Sequence, residues 1–99
     1  MGNPTAIYVV RLDAHDLFEV GCSGFLTGRV PSLSSAYKSP ATLVACWRGD
    51  LDEEQRIHRA LAAASITPRK RRPVETYWSD HPVFQRFFAS IPAALRHAL

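Results

Sequence analysis

Residues 6 to 23 read Ala-Ile-Tyr-Val-Val-Arg-Leu-Asp-Ala-His-Asp-Leu-Phe-Glu-Val-Gly-Cys-Ser, and the architecture grows outward from them. The β-branched and aromatic run at residues 6 to 12 suits a pleated, extended backbone, and it stops at the turn-forming Asp13-Ala14-His15-Asp16. Residues 17 to 22, Leu-Phe-Glu-Val-Gly-Cys, resume the pattern, so the two runs predict an antiparallel hairpin. Its register has two solutions. In one, Tyr8 and Glu19 share a face. In the other, Tyr8 pairs with Val20 and is buried beside Val10 and Phe18. The two differ by one residue, and such a slip exchanges every side chain between the faces of the sheet.

Beyond the hairpin, a third strand is expected at residues 41 to 48, Ala-Thr-Leu-Val-Ala-Cys-Trp-Arg, between Ser39-Pro40 and Gly49-Asp50. Residues 27 to 37 place Val30, Leu33 and Tyr37 at helical spacing, with Pro31 suited only to a first turn. Residues 50 to 65 predict a helix. Asp50 with Glu53 three positions on forms a capping box, and Leu51, Ile57, Leu61 and Ala64 trace one apolar stripe. From Ile66 to Pro73 two prolines and four adjacent like charges predict an exposed loop. Residues 74 to 78 read as a short extended or irregular piece. Ser79-Asp80-His81-Pro82 then caps a last helix that carries Val83, Phe84, Phe87, Phe88 and Ile91 inward until Pro92 breaks it. The order is β-β-α-β-α-α, an α+β fold with a three-stranded antiparallel sheet flanked by helices, in a single domain over residues 1–99.

With 99 residues, 46% hydrophobic content and ten aromatic side chains, the composition excludes a disordered or low-complexity chain. Twelve Lys and Arg against nine Asp and Glu leave a formal charge of +3, and four of those positive side chains are consecutive at Arg69, Lys70, Arg71 and Arg72. So local a patch suits the phosphates of a nucleic acid, or else a solvated loop. Two cysteines, Cys22 and Cys46, are read as too few for a disulfide framework or a four-ligand zinc site. No apolar run reaches the roughly 18 residues of a membrane span, and no signal peptide is read at the N-terminus. A cytoplasmic protein with no membrane partner is the expectation.

Three features carry chemistry together: Tyr8 in an apolar strand, Gly21 with Ser23 at the end of the next, and Arg29 eight residues after Gly21. Here the sequence resembles the GIY-YIG nuclease family. Ala6-Ile7-Tyr8 is similar to its first motif and Glu19-Val20-Gly21 to its second, with Arg29 at the family's spacing from that glycine. Glu54, followed by Ile57, His58 and Leu61, resembles the family's glutamate-bearing helix, and Glu75-Thr76-Tyr77 the late acidic-aromatic motif of a short branch whose helix also carries that histidine. The second motif departs from the family by placing Glu19, preceded by Phe18, where a tyrosine is usual.

The residue types also suit phosphodiester hydrolysis in their own right. The reaction needs an activated water, a counter-charge for the transition state and help for the leaving oxygen. Tyr8 would orient or deprotonate the water, and Arg29 offers a planar fork to two phosphate oxygens. Glu54 would hold Mg2+ or Mn2+ through its carboxylate. His58, one turn further along the same helix face, would act as base or hydrogen-bond a phosphate. Each has a structural alternative: Glu54 shares a helix first turn with Asp52 and Glu53, where acids complement the dipole, and Glu75, Tyr77 and Trp78 would cover a sheet edge.

The resemblance therefore implies a metal-dependent endonuclease acting on nucleic acid, DNA ahead of RNA. Tyr8, Arg29, Glu54 and His58 would be catalytic, Arg69, Lys70, Arg71 and Arg72 would grip the backbone, and Glu19, Gly21, Ser23, Glu75 and Tyr77 would lie at or beside the site. A chain this short has no separate recognition domain, so specificity would come from a homodimer or a partner protein. The alternatives are a catalytically inert relative that binds nucleic acid or protein, and an RNA-directed nuclease.

Overall fold

A computed structural model describes residues 5–65 and 76–95. Four strands, β1 (Ala6–Leu12), β2 (Leu17–Ser23), β3 (Ala41–Arg48) and β4 (Thr76–Trp78), form one antiparallel sheet in the order β3-β1-β2-β4. Among the described residues three α-helices accompany it: α1 (Leu26–Tyr37), α2 (Leu51–Ala60) and α3 (Pro82–Ser90). The fold is α+β, and the expected three strands are corrected to four. β4 is only three residues long, too short to show an alternating pattern, and it exists because Tyr77 and Trp78 pair with Phe18 and Leu17.

The hairpin register is the first of the two solutions. Tyr8 opposes Gly21, Val9 opposes Val20 and Val10 opposes Glu19. Opposed residues share a face, so Tyr8, Val10, Leu12 and Glu19 point one way and Ile7, Val9, Phe18 and Val20 the other. Both faces are covered. On the first, Tyr8, Val10 and Leu12 pack with Leu33 of α1. On the second, Ile7, Val9, Phe18 and Val20 join Leu61, Tyr77, Phe84 and Ile91 in the larger core, where the Phe18 and Phe84 rings stack at 4.8 Å.

The helix boundaries follow local chemistry. Asp50 caps α2 by accepting the Glu53 N–H at 2.9 Å, as its sequence predicts. The helix ends at Ala60, earlier than the expected residue 65, and a 3-10 turn over Ala62–Ala64 completes the descent to the core. Leu51 does not join the apolar stripe; it stands at the first position of α2, 57% exposed. His81 caps α3 through its Nδ1, which accepts the Val83 N–H at 3.1 Å, with Pro82 in the first turn. Pro31 sits at the sixth position of α1 rather than in its first turn, at an exposed site.

The strand register also fixes where the helices begin. Ala6 pairs with Ser23 on one side and Arg48 on the other, so β2 and β3 finish at the same end of the sheet. α1 and α2 follow those strands at once. Both helices therefore start at that end, α1 covering the first face and α2 the second. No helix among the described residues is long and apolar enough to cross a membrane.

Candidate functional site

On the first face the Tyr8 side chain crosses to β2 and lies over Gly21. A Cβ placed on Gly21 would overlap the Tyr8 hydroxyl and ring, so only glycine admits the ring there. The Tyr8 hydroxyl donates to Glu19 Oε2 at 2.8 Å and accepts from Arg29 Nε at 2.9 Å. Arg29 Nη2 lies 3.7 Å from the same carboxylate oxygen, and the Tyr37 hydroxyl donates to Glu19 Oε1 at 3.3 Å. Glu19 is thus a buried carboxylate held by two phenols and a guanidinium, which is how a buried charge is tolerated.

This arrangement fixes the protonation of Tyr8. Its phenol is 1% exposed, and burial first, then the neighbouring Glu19 carboxylate, hold its pKa well above the ordinary phenol value. In the metal-free chain the Tyr8 hydroxyl is buried and its proton is donated to the Glu19 carboxylate. Tyr8 positions Arg29. The Arg29 side chain is 40% exposed, and its Nε rests on the Tyr8 hydroxyl, which sets the orientation of the guanidinium.

On the second face α2 brings Glu54 and His58 over Tyr77. Glu54 is 7% exposed in the first turn of α2, and its Oε1 lies 3.8 Å from His58 Nε2. His58 Nδ1 is hydrogen-bonded to the Tyr77 hydroxyl, and the two rings stack at 5.7 Å. Burial pushes the His58 pKa below its ordinary value, keeping the imidazole neutral. Its Nε2 is buried and makes no hydrogen bond among the described residues. A carboxylate beside an unsatisfied imidazole nitrogen is a donor set that a divalent cation and its waters would fit. Among the described residues, no three His, Cys, Asp or Glu side chains converge in a ready cation cage.

The structure therefore brings the sequence-predicted residues together in two groups. Tyr8, Glu19, Gly21 and Arg29 form one, on the α1 face; Glu54, His58 and Tyr77 form the other, on the α2 face. Arg29 and Glu54, each the fourth residue of its helix, flank the same end of the sheet from opposite sides. Ser23 serves the backbone, its Oγ accepting the Phe25 N–H at 3.0 Å where the chain turns into α1. Glu75 and the basic run Arg69, Lys70, Arg71 and Arg72 lie outside the described residues. Tyr37 is a site residue that the sequence marks only by its helical spacing from Val30 and Leu33. Residues 29, 33 and 37 are successive i, i+4 positions, and following that row from Arg29 leads to it.

No family model, curated protein or solved structure matches this chain.

Proposed function

We propose that the chain is a metal-dependent endonuclease of the GIY-YIG type, hydrolysing phosphodiester bonds in DNA. The observation that carries this reading is the interlock of Tyr8, Gly21 and Arg29. Three elements on which the resemblance rests, spread over more than twenty residues of sequence, meet in one hydrogen-bonded unit that presents a half-exposed arginine. Such a preorganised fork binds two phosphate oxygens and stabilises the charge that grows on them in the transition state.

The second group supplies the remainder. A phosphodiester lying across the end of the sheet meets Arg29 from one side and the Glu54–His58 pair from the other. In the tautomer whose Nδ1–H faces Tyr77, and once the buried Nε2 edge opens to the substrate, His58 would take a proton from the attacking water as the water oxygen bonds to phosphorus; the P–O bond to the leaving oxygen breaks, and that oxygen takes its proton from bulk water. Glu54 would hold Mg2+ or Mn2+, which when bound adds positive charge at the phosphate and acidifies its waters. The basic run would add backbone contacts that carry affinity rather than sequence preference. Specificity would come from a second copy or a partner protein.

A second reading, an inert nucleic-acid-binding relative, draws on the burial of Tyr8, which withdraws its hydroxyl from solvent. Plasmid nicking with Mg2+ or Mn2+ separates the two. The nuclease reading expects cleavage that a chelator stops and that Arg29→Ala, shown folded by circular dichroism, lacks. A folded natural chain that binds DNA in a salt-sensitive manner and nicks nothing with either metal belongs to the second reading.

A further inference from the structure

The most exposed aromatic ring among the described residues is one that neither group uses. Phe25 is 69% exposed, the residue immediately before α1 at the end of the sheet where α1 and α2 begin. Folding gives no reason for it. Phe25 occupies the N-cap of α1 without making a side-chain cap, a position at which Ser, Asp or Asn would stabilise the helix. The ring lies against Gly28, in the space that a Cβ there would fill. The Phe25 backbone is fixed, the N–H donating to Ser23 Oγ at 3.0 Å and the carbonyl accepting from the Arg29 N–H at 3.0 Å.

That backbone bond ties Phe25 to Arg29, and the ring lies against Gly28, the residue before Arg29. An apolar ring face beside a cation fork matches the two halves of a nucleotide, an aromatic base and its phosphate. We propose that Phe25 stacks on an unpaired nucleobase of the strand whose phosphate Arg29 holds. The inference rests on the nucleic-acid reading above and adds to it a preference for single-stranded or locally opened DNA, since a base within a duplex keeps its faces covered by its neighbours. Stacking on one aromatic side chain is tolerant of base identity, so the preference is for unpaired structure rather than sequence.

The test is fluorescence anisotropy with a labelled single-stranded oligonucleotide, its duplex, and a single strand of abasic sites, in chelator so that nothing is cleaved. The natural chain, Phe25→Ala, Phe25→Trp and Arg29→Ala are compared. The expected result is a loss of about tenfold in single-strand affinity for Phe25→Ala, restored by Phe25→Trp, with duplex and abasic binding unchanged. Equal losses on single strand and duplex, or no loss on either, overturn the stacking role while leaving the Arg29 reading in place if Arg29→Ala still weakens binding. A Phe25→Ala chain that keeps its oligonucleotide affinity but sediments as a smaller species than the natural chain overturns it in favour of a second copy covering the ring. No binding by the natural chain, or binding indifferent to Arg29→Ala, removes the nucleic-acid reading and this inference together.

Discussion

The Tyr8 ring occupies the space in which a Cβ on Gly21 would stand. Gly21→Ala must therefore displace the ring from its partners or push β1 and β2 apart. Overpacking of this kind costs about 1–3 kcal/mol, and a shifted phenol also loses Glu19 and Arg29. Urea unfolding is expected to show that loss, and much of it disappears when Gly21→Ala is made in a Tyr8→Ala background, because the two residues are coupled through direct contact. Full additivity would show that the ring does not rest on Gly21.

The protonated state of Tyr8 sets a pH dependence. Its folded-state pKa lies above the unfolded value of 10.0, so stability from this group is complete below pH 10 and is lost as pH rises beyond it, where the unfolded chain ionises and the folded one does not. The natural chain is expected to lose stability above pH 10 more steeply than Tyr8→Phe. Spectrophotometric titration checks the same point, the natural chain releasing more phenolate absorbance on alkaline unfolding than Tyr8→Phe does.

Arg29 gives the sharpest contrast between charge and shape. Arg29→Lys keeps the positive charge and loses the fork and the Nε–H that rests on Tyr8. DNA affinity should fall only slightly, whereas the cleavage rate should fall by a factor on the order of 100, the scale for removing one oriented donor from a transition state. Arg29→Ala should also reduce the salt slope of DNA binding by about one. If the Arg29→Lys variant cleaves as well as the natural chain, the geometry around Tyr8 is not what the reaction uses.

Asp50 tests the second group separately. Its carboxylate anchors the first turn of α2, from which Glu54 projects. Asp50→Ala is expected to cost about 1 kcal/mol of stability and to lower cleavage, because a frayed first turn loosens Glu54. DNA binding in chelator, which depends on Arg29, should not change.

Much of this arrangement can be read from the chain, and its gaps have physical reasons. The three longer strands are legible because seven or eight residues of β-branched and aromatic character between turn formers leave few alternatives, and the caps at Asp50 and His81-Pro82 mark helix starts directly. β4 is not legible, since Thr76-Tyr77-Trp78 has no room for a period. Leu51 misleads because a helix's first residue can fit an apolar stripe by spacing while the chain is still entering from solvent. Pattern alone leaves the hairpin register open; the space over Gly21 is what the Tyr8 ring fills, and that fit depends on the third dimension. Spacing along a sequence likewise carries no information on which face of a sheet a helix covers, so Tyr8 with Arg29 and Glu54 with His58 read as one constellation although the sheet lies between them.

That separation makes the central claim specific: two groups on opposite faces serve one phosphodiester at the end of the sheet they share. Single-turnover cleavage of a labelled DNA, measured for Arg29→Ala, Glu54→Ala and the double variant at matched folding, tests it most directly. Residues that act as a unit are strongly non-additive, so each single variant should lose at least about 100-fold in rate and the double variant no more than the worse single. Cleavage by Glu54→Ala at the natural rate while Arg29→Ala is inactive, or losses that simply multiply in the double variant, would contradict a shared site.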